Sequence, residues 1–189
     1  MFFISQHALK ALFVSSALLV VGALPARAES QWLTFIPNSN PPYMVGGGLE
    51  QGRELFVCRA VADNTLLPGK TWRGLNSCAV TYGNQEVFVP IFQVLLAPPA
   101  VSKFSYRWAG RNEIVNQPTL MGKAVQGGFG DGQGERGICR MTLQINGQFA
   151  GVHPGRFTFY TDRSGGWCFV SWGGRDYSSN TSWDLLLDQ

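Results

Sequence analysis

Beyond its first 28 residues the sequence contains a single histidine, His153, and nowhere does it space two cysteines as Cys-x-x-Cys. That scarcity argues against zinc and against most imidazole-based metal centres, so no metal and no cofactor are expected. No window of about eleven residues after the N-terminal segment carries a helical period, which speaks against a helical bundle. No later stretch approaches the roughly 18 uninterrupted apolar residues of a membrane-crossing helix. A surplus of one charge is missing too. Of 15 basic residues, Lys10 and Arg27 lie in the N-terminal segment, which leaves 13 against 12 acidic ones. A surface so close to neutral offers no electrostatic attraction for nucleic acid, and nothing here points to membrane insertion.

What is present begins with a leader. Residues 1–28 hold Lys10, an apolar run from Ala11 to Leu24, and the small-residue exit Ala26-Arg27-Ala28. This is the layout of a cleaved signal peptide, with an uncleaved N-terminal anchor as the alternative. The mature chain is expected to start near Glu29 and to be secreted or periplasmic. Four cysteines, Cys58, Cys78, Cys139 and Cys168, suit that oxidising side of a membrane, and structural disulfides are their simplest use. Pairing within each half, Cys58 with Cys78 and Cys139 with Cys168, is the plainest of the three connectivities, all of which sequence leaves open.

The remaining apolar residues come in short bursts such as Glu54–Ala60, Glu86–Leu96, Arg156–Asp162 and Gly166–Trp172. They are rich in Val, Phe, Trp, Tyr and Thr and bounded by Gly, Asn, Asp and Pro. Short antiparallel strands joined by tight turns are the expected outcome, an all-β fold.

The bursts also repeat. "CAVTYGNQE" from Cys78 matches "CFVSWGGRD" from Cys168, and "LFVCRA" from Leu55 matches "RGICRM" from Arg136. "VGGG" at Val45 answers "VQGG" at Val125, and "LLPGKTW" at Leu66 answers "GVHPGRF" at Gly151. "FQVLLA" at Phe92 answers "WDLLLD" at Trp183, and Gln31-Trp32 and Arg107-Trp108 lead into each copy. Between Cys-Arg and Pro-Gly the second copy is longer by five residues, an insertion expected in a surface loop. Residues 29–100 and 101–189 are therefore read as two copies of one unit. A unit of this size rarely buries its apolar face alone, so the copies are expected to pack as one pseudo-twofold body, with exchange of an end strand as one route.

The order Gly-Gly, Val-Cys-Arg-Ala, Pro-Gly-Lys, Cys-x-Val-x-Tyr-Gly and a closing Val-Leu strand resembles the DM nine repeat, found in tandem in natterin-like proteins and in small mannose-binding lectins. The resemblance runs over nearly all of Trp32 to Leu187. It implies an all-β body of two repeats. It also implies a mannose-type sugar held in each repeat by an acid in the glycine-rich segment and a lysine in the Pro-Gly-Lys turn. The lysine falls on Lys70 in the first copy, and Arg156 replaces it in the second. The acid falls on Glu50 and Asp131 when the Cys-Arg pairs are aligned. A register one residue earlier would place it on Leu49 and Gly130.

The residue chemistry suits that reading. A carboxylate accepts from paired sugar hydroxyls, and an ammonium or guanidinium donates to sugar oxygens. Arg156 keeps charge and donors but presents a planar fork, so it would not copy the geometry of Lys70. Against this, exposed turn cations often only meet water. Trp72, Trp167 and Trp172 could stack on a sugar or serve the core. Arg59 and Arg140, each beside a cysteine, are expected to be structural, neutralising Glu86 and Asp176. No Ser-His-Asp or Cys-His arrangement is present. A carboxylate pair, Glu50 with Asp131, is the residual enzymatic idea, weakened because symmetry copies divide acid and base roles poorly. The expectation is a secreted, carbohydrate-binding protein that does not transform its ligand, with a homodimer allowed. A secreted protein-interaction or structural module is the alternative.

Overall fold

The computed structural model of the chain describes residues 31–97, 105–130 and 134–189. The expected leader, the join near Pro98–Lys103 and Asp131 lie outside the described residues.

The apolar bursts become fourteen strands. The first copy supplies β1 (Trp32–Thr34), β2 (Gly46–Glu50), β3 (Arg53–Ala62), β4 (Thr65–Thr71), β5 (Cys78–Tyr82), β6 (Gln85–Val89) and β7 (Phe92–Leu95). The second supplies β8 (Tyr106–Gly110), β9 (Gln126–Phe129), β10 (Glu135–Ile145), β11 (Gln148–Phe159), β12 (Gly166–Trp172), β13 (Arg175–Ser179) and β14 (Asp184–Asp188). Between β8 and β9 sit a short helix, α1 (Arg111–Asn116), and a 3-10 turn (Pro118–Lys123). The all-β expectation holds, with this one helical insertion in the second copy.

Pairing makes the symmetry explicit. Each copy forms the run β1–β7–β3 or β8–β14–β10 and the hairpins β3–β4 or β10–β11. The glycine-rich strands then cross over. β2 of the first copy pairs with β11 of the second through Leu49 and Val152, and β9 of the second pairs with β4 of the first through Phe129 and Leu66. The order β2–β3–β4–β9–β10–β11 closes on itself, and the hairpins β5–β6 and β12–β13 meet through Gln85 and Arg175. The strands that tie the copies together are thus the glycine-rich ones, not those at the ends. Glycine is required there. A Cβ at Gly48 would stand 1.9 Å from the Val152 carbonyl oxygen, and one at Gly128 would stand 1.9 Å from that of Leu66.

Alternation along β3 and β10 builds two layers of core. Cys58 and Ala60 face the first copy's own cluster, and Cys139, Met141 and Leu143 face the second's. The intervening residues face a shared centre made of three symmetric pairs: Val45 with Val125, Val57 with Ile138, and Leu95 with Leu186. Disulfides Cys58–Cys78 and Cys139–Cys168 fasten each unit internally, as the plainest connectivity had it. Each contributes about 3 kcal/mol in the chain-entropy account.

The five-residue insertion does not loop out. It lengthens the β10–β11 hairpin, whose arms run 11 and 12 residues against 10 and 7 in β3–β4, with a bulge at Leu143/Gln144. Arg59 and Arg140 are structural but do not pair with Glu86 and Asp176. Arg59 donates from Nε to Gln93 Oε1 at 2.7 Å and lies over the Trp32 ring at 4.1 Å. Arg140 donates to Asp184 Oδ2 at 2.8 Å and lies over Trp108 at 4.6 Å. The reason is register: Gln93 and Asp184 are the direct cross-strand partners of these arginines. Burial pushes Arg59 down to about 10, which leaves it charged at neutral pH.

Candidate functional site

Lys70 sits on β4 immediately after the Pro68-Gly69 pair, where a bare glycine lets β5 approach. Its side chain points inward and the residue is only 1% exposed. An ammonium has three donors, and here three acceptors surround it. Glu86 Oε1 lies at 3.3 Å, Glu50 Oε2 at 3.5 Å, and His153 Nδ1 at 3.2 Å. The expected acid and cation of the first copy are therefore neighbours, and two further residues join them.

His153 comes from the second copy, brought in by the β2–β11 crossover. Burial, and then the charge of Lys70, push its pKa down to about 4, against smaller upward pulls from the Ala150 backbone and Glu86. The imidazole is neutral at pH 7. Because Lys70 donates to Nδ1, the ring proton resides on Nε2, which faces the Ala150–Gly151 backbone. Glu86 also reaches across the repeats, accepting from the Gly174 backbone N–H at 3.0 Å. One ammonium thus ties β2, β4, β6 and β11 together. From the sequence, Glu86 is expected to neutralise Arg59, and His153 stands only as a lone histidine that supports neither a metal site nor a catalytic triad. The signal overlooked was that His153 directly precedes the second copy's Pro-Gly pair.

The second copy arranges its cation differently. Arg156 is half-buried and lies over the Phe169 ring at 4.5 Å, where the first copy has the small Ala79. By strand register the counterpart of Glu50 is Gly130, since Leu49 and Phe129 occupy equivalent crossover positions. Asp131 follows one residue later, outside the described residues. The counterpart of His153, two residues ahead of Gly69 as His153 is ahead of Gly155, is Leu67.

Above the buried cluster lies a cleft of about 400 Å³. One wall is the β2–β3 tip with Leu49, Gln51 and Gly52. The other is the lengthened β10–β11 tip with Asn146, Gln148 and Phe149, and Trp172 closes one side. Leu49 and Gln51 flank Glu50 along β2, so they face the cleft while the carboxylate faces Lys70 beneath. Ala150 lines the cleft and adjoins His153, so cleft and cluster share a backbone. Of the three tryptophans singled out, Trp172 lies here, Trp72 is stacked under Arg53 at 4.7 Å, and Trp167 is 39% exposed elsewhere on β12. Among the described residues no cluster of three or more His, Cys, Asp or Glu side chains could hold a metal ion, and no helix is long and apolar enough to cross a membrane.

Comparison with known proteins agrees with this architecture. The crystal structure of the nematode sperm cell motility protein MFP2B is similar, with a TM-score of 0.61 at 14% identity over 85% of this chain. The likeness covers 46% of that protein, so the chain spans less than half its length, and at this identity the likeness concerns the fold. No curated protein matches the chain. The family model of the DM9 repeat matches residues 49–166, from the glycine-rich strand of the first copy to the start of β12, and on that match the chain belongs to the DM9 repeat family.

Proposed function

We propose that this DM9 repeat protein is a secreted or periplasmic lectin-like protein that binds mannose-type glycans without transforming them. The observation that carries the reading is the convergence of Glu50 and Lys70, at 3.5 Å, in the buried seam where the two repeats cross, directly beneath the cleft. The resemblance assigns sugar to this acid and cation, whereas at the second copy's Arg156 the register counterpart of the acid is Gly130. Lys70 is already engaged by two carboxylates, so a ligand meets it only by exchanging with Glu50 or Glu86. Otherwise the pair acts from below, holding the surface a sugar would touch. Both disulfides suit an oxidising compartment, as does the leader-like N-terminus. A neutral imidazole whose Nδ1 is occupied by a lysine favours binding over catalysis.

The test is a glycan array on the full chain. Retention on mannose-terminated glycans is expected, weakened in Glu50→Ala and Lys70→Ala. Absence of glycan binding, or binding that both substitutions leave untouched, would remove the reading. Turnover of a glycoside would instead favour an enzyme, and selective capture of one protein would favour an interaction module.

A further inference from the structure

The lectin reading leaves open where a sugar sits and how many each chain holds. Resting on that reading, we propose that the cleft between the Gln51–Gly52 and Asn146–Gly147 tips seats one pyranose ring of a glycan, and that each chain has a single such seat. Trp172 and Phe149 pack against the C–H face of the ring. Gln51, Asn146 and Gln148 serve its hydroxyls.

The lining selects the ligand class. Among the described residues no titratable side chain lines the cleft, so it offers no counter-charge for a phosphate, a carboxylate or an amine. Three amide side chains each donate and accept, which matches hydroxyl groups that also do both. The same amides make poor company for a hydrocarbon tail. The aromatic pair supplies the apolar surface that a sugar ring needs on its other side. Phe149 is 62% exposed and Leu49 45% exposed, a water-facing apolar surface with no structural reason among the described residues. The volume of about 400 Å³ falls within the range of small-ligand sites, about 300–1,000 Å³.

The walls are rigid, which lowers the entropic cost of binding. Each tip is a two-residue turn with both residues at positive φ, Gln51 and Gly52 at 48° and 79°, Asn146 and Gly147 at 53° and 77°. Strands β2 and β11 are joined at Leu49 and Val152, and the Lys70 cluster fixes both from beneath.

Symmetry shows why the described residues build one seat; of the equivalent place on the other side, the β9–β10 turn lies outside them. The equivalent place on the other side would be bounded by the β3–β4 tip, Asp63–Asn64, which lacks the five inserted residues. Tyr82 stands where the second copy has Trp172, and its hydroxyl donates to the Asp63 carboxylate, so the aromatic is tied down against its own tip. The insertion raises one wall, and it does so in one copy.

The test titrates methyl α-mannopyranoside into the full chain, followed by calorimetry and by the indole N–H resonances. The Trp172 resonance is expected to shift. Trp172→Ala should lose at least about tenfold in affinity and Phe149→Ala several-fold, while Tyr82→Phe binds as the parent does. Phe149 is exposed, so its variant reports on binding even if Trp172→Ala folds poorly. Sugar binding that survives both Trp172→Ala and Phe149→Ala overturns the cleft while leaving the lectin reading standing, and two equal sites per chain overturn the single seat. A parent protein that retains no glycan on the array and no mannoside here removes the lectin reading itself.

Discussion

The two copies share a backbone plan but use their matched Pro-Gly-cation segment, which the sequence suggests is a turn and the structure places within strands β4 and β11, in opposite ways. In the first, Pro68-Gly69-Lys70 sends its cation inward, where two carboxylates and a histidine of the other copy surround it. In the second, Pro154-Gly155-Arg156 lays its cation over Phe169 at the half-buried edge. The difference follows from neighbours rather than from the segment itself. Ala79 leaves room for Lys70 to enter where Phe169 fills the equivalent space, and Gly130 supplies no carboxylate where Glu50 does. Symmetric scaffolding with asymmetric lining gives one copy a buried lock and the other a tall wall.

The comparison breaks most visibly at the two cations. Lys70→Met strands two buried carboxylates and should cost about 3–5 kcal/mol in urea unfolding. Arg156→Met removes a half-buried cation that lies over Phe169 and strands no buried carboxylate pair, so it should cost less, about 1–2 kcal/mol. Equal costs would mean that the two cation sites are energetically alike despite their geometry.

The crossover glycines sharpen it from the other side, because there the copies should agree. Gly48→Ala and Gly128→Ala each drive a methyl into a carbonyl oxygen of the other copy, and each should cost about 3 kcal/mol or more. Thermal melts of the two variants are expected to fall together. A large difference would show that one crossover matters less than the other.

A smaller effect separates the copies by pH. His153 titrates near 4 in the folded protein and near 6.5 in the unfolded chain, so between those values the unfolded chain binds the extra proton. Stability from this residue is full above about pH 6.5 and declines as pH falls toward 4, by on the order of 1–3 kcal/mol. Leu67, its counterpart, does not titrate. His153→Gln keeps an acceptor for Lys70 and should flatten the stability profile between about pH 6.5 and 4. An unchanged slope would place the proton uptake elsewhere.

Much of the fold was legible in the sequence, because short β-branched and aromatic runs between turn residues have one common outcome, and because a duplicated phrase implies a duplicated unit. The disulfides followed from the same repetition. The proximity of Glu50 and Lys70 was expected from resemblance. Their companions were not: His153 arrives from the other copy through the β2–β11 crossover, which periodicity does not encode, and Glu86 was expected to pair with Arg59. The partners of Arg59 and Arg140 were missed for a related reason: register chose Gln93 and Asp184, and register becomes visible only once strands are paired. The cleft was hidden in an insertion. Five extra residues look like a loop in sequence, yet with a bulge at Leu143/Gln144 they extend a hairpin and place Phe149 and Asn146 opposite Gln51.

The most direct test of the whole account is the stoichiometry of sugar binding in solution. Calorimetric titration of the full chain with a mannose-terminated oligosaccharide is expected to saturate at one ligand per chain. Saturation at two would contradict the asymmetry between the copies, and the absence of any saturable heat, with no glycan retained on the array, would contradict the carbohydrate-binding function.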